Sequence, residues 1–261
     1  MKWLGCVMIY DAYFPPLADF IQQRIVDGLL CREFIALDNL SDLPVKIGAG
    51  ANPGVILRGD SFMELGNPEA GSAAIMLYTD NISLINNGKI TLLGSDIPEA
   101  AGASLPFGQI ILIGGKILQP SDYDRLQAAG IVSDFVEGYM VRSMSGCVWS
   151  RVSKDAAAKG FDFTTLGQAL MALYRQNCSE IEAIEIVFVT ANAAAVRELN
   201  GIAAQIQKIT REMVRENWAI RGYDIDCAND CSSCGDKIVC DDIREVLKIR
   251  TEASKEQGAN G

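Results

Sequence analysis

The stretch that decides the fold is Ala183-Ile184-Glu185-Ile186-Val187-Phe188-Val189-Thr190. This run of branched and aromatic residues is long enough for a strand buried on both faces and too short for a core helix. The period changes directly after it. From 192 to about 217, Val196, Leu199, Ile202, Ile206, Ile209 and Met213 recur at three and four positions, which predicts a long helix whose single apolar stripe packs on the body of the protein.

Upstream of this pair the pattern is strand-like and broken by turn formers. Residues 55–57, 73–78, 90–93 and 109–113 read as short strands, with Asn86-Asn87-Gly88 as a hairpin turn, and 148–152 reads as another strand. Residues 3–10 suit a buried strand. Helices are expected over 15–37, opened by Pro15-Pro16, over 123–129, and over 165–176, where Leu166, Leu170 and Leu173 share a face and Thr164 caps. Strands grouped early and helices grouped late give an α+β class: a mixed sheet flanked by helices, with a small C-terminal cysteine-rich metal-binding module. The expected divisions are 1–42 for an N-terminal strand and helix, 43–216 for a central domain, and 217–261 for the cysteine module and a polar tail.

The 261 residues include 33 acidic and 23 basic side chains and no histidine, a formal charge of −10. Such a balance repels a phosphate backbone, so nucleic acid is not an expected partner. No apolar run approaches the roughly 20 residues of a membrane-spanning helix, and the short apolar start is unlike a signal peptide. A cytoplasmic protein is expected, without a membrane partner.

Four of the 8 cysteines, Cys227, Cys231, Cys234 and Cys240, fall within fourteen residues. In a reducing compartment such a cluster points to metal ligation in preference to disulfides. Thiolate sulfur is the ligand of iron–sulfur clusters, and four cysteines close one [4Fe-4S] cubane with no other ligand type. The alternatives are a structural zinc site, which also accepts four cysteines, or a thiol pair without metal. Asp224, Asp226, Asp230 and Asp236 either keep the reduction potential of a cluster low or simply form a solvated face, while Asp241 and Asp242 suit the start of a helix over 243–250. Cys6, Cys31, Cys147 and Cys178 stand alone in apolar surroundings and read as ordinary buried residues. With no histidine, any general acid or base must be Asp, Glu, Lys, Tyr or Cys.

The middle third carries a resemblance. Arg58-Gly59-Asp60, Glu64-Leu65-Gly66, Gly88-Lys89-Ile90, Gly94-Ser95-Asp96-Ile97, Leu105-Pro106-Phe107-Gly108, Val136-Glu137-Gly138 and Val148-Trp149-Ser150-Arg151-Val152-Ser153-Lys154 follow one another as in the central domain of acetyl-CoA synthase. That protein is the β subunit of the CO dehydrogenase/acetyl-CoA synthase complex, and the likeness runs from about residue 43 to 215. In the family a long helix and a domain holding a nickel–iron–sulfur cluster follow, and Cys231 and Cys234 stand at about the corresponding place. The resemblance implies a truncated relative, lacking the CO-dehydrogenase-binding domain and the distal Cys-x-Cys that chelates nickel. It associates the central domain with CoA and with docking of a corrinoid iron–sulfur protein, which makes Trp149 and Arg151 the candidate cofactor-binding residues. Trp149 as a core strand aromatic, and Arg58 with Asp60 as a structural turn pair, are the plainer readings.

The expected function is therefore that of an accessory iron–sulfur protein of anaerobic one-carbon and CO metabolism. It would dock on, or transfer electrons to, a metalloprotein such as a CO dehydrogenase-like or corrinoid iron–sulfur protein. The alternatives are an enzyme of partial acyl or methyl transfer with CoA or a corrinoid protein, and a zinc-stapled interaction module.

Overall fold

The computed structural model describes residues 8–37, 43–48, 51, 55–100, 104–116, 126, 136–144 and 147–220, with the backbone alone at 8–9, 142–144 and 211–220. The chain divides into two units, Met1–Thr210 and Arg211–Gly261, and the account below concerns the first. The order of elements is α1 (Met8–Asp11), α2 (Phe14–Val26), β1 (Cys31–Ile35), β2 (Ser61–Leu65), β3 (Ser72–Thr79), β4 (Lys89–Leu93), β5 (Ser104–Leu105), β6 (Phe107–Gly114), β7 (Tyr139–Met144), β8 (Cys147–Ser153), α3 (Lys154–Ala158), α4 (Phe163–Asn177), β9 (Ala183–Val189) and α5 (Ala193–Ile220). This is the expected α+β class, built on two sheets instead of one.

The larger sheet has the order β1-β4-β9-β6-β3. It is mixed: β4 runs parallel to β9 and β3 to β6, while β1 opposes β4 and β6 opposes β9. All seven residues of β9 are buried, as its unbroken apolar run requires of a central strand. The one charge in that run, Glu185, accepts the backbone N–H of Asn86 at 2.8 Å and its side-chain amide at 3.1 Å. The carboxylate thus ties down the 85–88 turn, and burial raises its pKa. That turn precedes β4 but joins no hairpin, because β3 pairs with β6 and not with β4.

Strand register puts Ile90 and Ile186 on one face of this sheet and Val187 and Val189 on the other. Helix α4 packs on the first face, where a Cβ on Gly167 would come 2.8 Å from Ile90. Helix α5 packs on the second, where a Cβ on Gly108 would meet both Leu199 and Val189. Ala195, Val196, Leu199, Ala203 and Ile206 are its buried stripe, with Ile202 and Ile209 half-buried at the margin. The smaller sheet, β5-β2-β8-β7, is joined to the larger through Ser72, whose hydroxyl donates to the carbonyl of Val148 at 2.6 Å and accepts its N–H at 2.7 Å. Where α4 meets the sheet the ring of Phe107 stacks on those of Phe163 and Phe188, which are tilted against each other.

Several expectations are corrected. Residues 15–37 are not one helix: α2 stops at Val26, because Asp27 and Gly28 (φ 84°) turn the chain into β1. Residues 8–11 are helical and not a strand, and 55–57 form a loop leading into a 3₁₀ turn at Arg58–Asp60. The cap of α4 is Asp162, whose carboxylate accepts from Thr165 N at 2.7 Å, and not Thr164. Cys178 is buried, whereas Cys31 and Cys147 are only half-buried. Cys6, the helices expected over 123–129 (apart from Leu126) and 243–250, the tail and the four clustered cysteines lie outside the described residues. Among the described residues no helix is long and apolar enough to cross a membrane.

Candidate functional site

Strand β8 alternates, with Val148, Ser150 and Val152 buried and Trp149 and Arg151 on the less buried face, the two-residue period of a strand covered on one side. Trp149 is therefore half-buried on a sheet surface and is not a core aromatic. Glu64 of β2 stands opposite Arg151, and Arg142 of β7 opposite Trp149. The guanidinium of Arg151 lies over the Trp149 ring, 4.8 Å from its centroid. Its Nε and Nη2 both reach Oε1 of Glu64 at 2.8 Å, and its Nη1 donates to the carbonyl of Ile56 at 3.0 Å. All three nitrogens are thus engaged within the protein, and an added anion would compete with Glu64. The indole N–H of Trp149 is buried without a hydrogen-bond partner.

A second constellation gathers at the C-terminal ends of β4 and β9. Asp96 accepts the backbone N–H groups of Ile97 at 2.7 Å and Phe163 at 3.0 Å, joining the 94–99 loop to the start of α4. Desolvation of this buried carboxyl raises its pKa despite those two donors. Glu99 in turn accepts the backbone N–H of Asp96 at 3.0 Å and pairs with Arg32, whose Nη2 also donates to the carbonyl of Gly94. Gly94 has φ 120°, and a Cβ there would lie 2.5 Å from Ala191 N, so only glycine lets these two loops meet. The tight internal bonding gives this corner a structural task.

The four clustered cysteines lie outside the described residues. Among those residues no group of three or more Cys, Asp or Glu side chains is disposed to hold a metal ion. The donor set itself, four thiols in a chain without histidine, fits an iron–sulfur cluster.

The sequence of motifs on this scaffold has a known counterpart. The family of the CO dehydrogenase/acetyl-CoA synthase complex beta subunit matches residues 43–195. The chain belongs to that family. Among its relatives is acetyl-CoA decarbonylase/synthase complex subunit beta 1 of Methanosarcina acetivorans, 29% identical over 177 residues, which are 66% of this chain and 36% of the relative. The carbon monoxide dehydrogenase/acetyl-CoA synthase subunit alpha of Moorella thermoacetica is 31% identical over 178 residues, 67% of this chain and 24% of its own. The beta subunit of the Archaeoglobus fulgidus complex is 26% identical over 215 residues, 81% of this chain and 40% of its own. The chain thus matches well under half the length of these relatives. Trp149 and Arg151 fall inside the family match, as do Glu64 and Asp96, which the sequence quoted in motifs without assigning them partners.

Proposed function

We propose that this chain is an accessory iron–sulfur member of the family, which binds a [4Fe-4S] cluster through Cys227, Cys231, Cys234 and Cys240. It docks on, or passes electrons to, a metalloprotein partner of CO metabolism. The observation that carries the reading is the coincidence, in one chain, of the family's central scaffold with four cysteines in fourteen residues and no other soft ligand nearby. Helix α5 brings the chain to Ile220, seven positions before Cys227. A cubane closed by four thiolates supplies one-electron transfer. The surrounding aspartates disfavour an added negative charge, and the net charge of −10 favours a partner with a basic docking face. Each cysteine must be deprotonated to ligate, so cluster binding releases protons and stabilises the segment that holds it.

The test is anaerobic purification of the full chain, produced with cluster assembly intact, followed by iron and acid-labile sulfide analysis and by capture of CO dehydrogenase. About four irons and four sulfides per chain, lost on Cys231→Ser with Cys234→Ser, are expected. One zinc per chain and no sulfide would replace this reading with a zinc-stapled module.

One observation favours a second reading, CoA contact at Trp149: the residue is half-buried on a sheet surface and its N–H lacks a partner. Quenching of tryptophan fluorescence by CoA, abolished in Trp149→Phe, would support it. The engagement of Arg151 by Glu64 weighs the other way.

A further inference from the structure

The segment Val55-Ile56-Leu57-Arg58-Gly59-Asp60-Ser61-Phe62 exposes three large apolar side chains within eight residues. Val55 is 72% exposed, Leu57 62% and Phe62 39%, while Ile56 between them is 7% exposed and anchors the loop. A pliable loop could fold such groups away, but this one is fixed. Arg151 Nη1 holds the carbonyl of Ile56 at 3.0 Å, Lys154 Nζ holds that of Gly59 at 2.6 Å, and Asp60 N closes the turn on Leu57 O at 3.0 Å. Two cations of the β8–α3 segment thus present the apolar groups rigidly, which lowers the conformational cost of burying them against another surface.

The charges on the same turn say what that surface is. Arg58 and Asp60 are both exposed, and the side chain of neither has a hydrogen-bond or ion-pair partner among the described residues. They are not paired with each other, as a structural turn pair would be. A patch carrying one free cation and one free anion two residues apart, amid apolar side chains, is complementary to itself. In a two-fold interface residue i meets j and j meets i, so both charges are satisfied at once. We infer that the 55–62 segment is an isologous interface through which two copies of this chain associate, with Arg58 of each copy against Asp60 of the other and Leu57 and Phe62 buried between them. This inference does not depend on the function proposed above.

The test uses the full chain, prepared anaerobically with its thiols reduced, in sedimentation velocity over a concentration series. A concentration-dependent dimer is expected. Arg58→Asp and Asp60→Arg should each weaken it by about tenfold or more, since both leave like charges opposed. Mixing the two variants should restore dimers, because an all-acidic patch then meets an all-basic one, and the double variant carrying both changes should also recover. Circular dichroism of each single variant checks that the fold persists, and recovery in the mixture could not come from misfolded chains. A wild-type monomer at every concentration would overturn the inference. So would single variants that dimerise undiminished, or a mixture that stays monomeric.

Discussion

Arg151 and Glu64 meet across the β2–β8 ladder with both Nε and Nη2 of the guanidinium 2.8 Å from a single carboxylate oxygen, 87 positions apart in sequence. Both side chains are more than four-fifths covered, so the pair is neither a solvated surface bridge nor a fully dry one. Glu64→Gln should lower unfolding free energy by about 1–3 kcal/mol, because the guanidinium remains where it is and loses its counter-charge. Arg151→Lys keeps the charge but cannot hold Glu64 and the carbonyl of Ile56 together, and should cost a similar amount. Chemical denaturation of the two single variants and the double variant gives the coupling energy, and additive effects would show that the contact contributes nothing.

Two glycines in helices should respond in opposite ways to the same change. Gly201 lies on the exposed side of α5 with nothing within 4 Å of a would-be Cβ, so Gly201→Ala should stabilise by about 0.5–1 kcal/mol. At Gly167 the added methyl group would meet Ile90 at 2.8–3.0 Å through three of its carbon atoms, and Gly167→Ala should lower the melting temperature by several degrees. Thermal unfolding of the two variants side by side checks the pair.

What was legible in the sequence follows from where the physical information lies. β3, β4, β6, β8, β9 and α5 are announced by apolar runs, alternations or stripes, since each buries at least one face. β1 is an edge strand, and its Cys31-Arg32-Glu33-Phe34-Ile35 continues the helical spacing of Leu29 and Leu30, so only Asp27 and Gly28 marked the break. Asp162 and Thr164 are both capping types, and the choice between them rests on which side chain reaches Thr165 N. The partners of Arg151 lay out of reach altogether, for no local pattern ties residue 151 to 56 and 64. Trp149 beside Arg151 was visible as a pair, but whether the strand turned them inward or outward was not. Asp162→Ala should accordingly cost about 1 kcal/mol, and Thr164→Ala little.

Glu99 titrates against Arg32. The hydrogen-bonded guanidinium lowers its pKa from 4.5 to about 2, with a further contribution from Asp96 N. A lowered folded-state value means that the unfolded chain binds the proton first on acidification. The stability it contributes is therefore fully present above about pH 4.5 and is lost as pH falls toward 2. Glu99→Gln should flatten that part of the acid unfolding curve and leave the region above pH 5 parallel to wild type, as urea unfolding at stepped pH will show.

Asp96 behaves in the opposite sense, and the comparison isolates it. Burial raises its pKa above 3.8, with Asp162 adding to the rise and Arg32 and the two backbone donors opposing it. Here the folded protein holds the proton longer than the unfolded chain. Stability from this residue is thus greatest below pH 3.8 and declines as pH rises through the folded-state value. Asp96→Asn keeps an oxygen able to accept from Ile97 N and Phe163 N while removing the desolvated charge. It should be neutral or stabilising at pH 7 and should erase this residue's pH dependence. Asp96→Ala leaves both N–H groups unpaired in a buried corner and should cost about 2 kcal/mol or more at every pH. If the Asn and Ala variants instead lose equal stability at pH 7, the negative charge matters more than the acceptor oxygen, and Arg32 and not the helix start would be its principal partner.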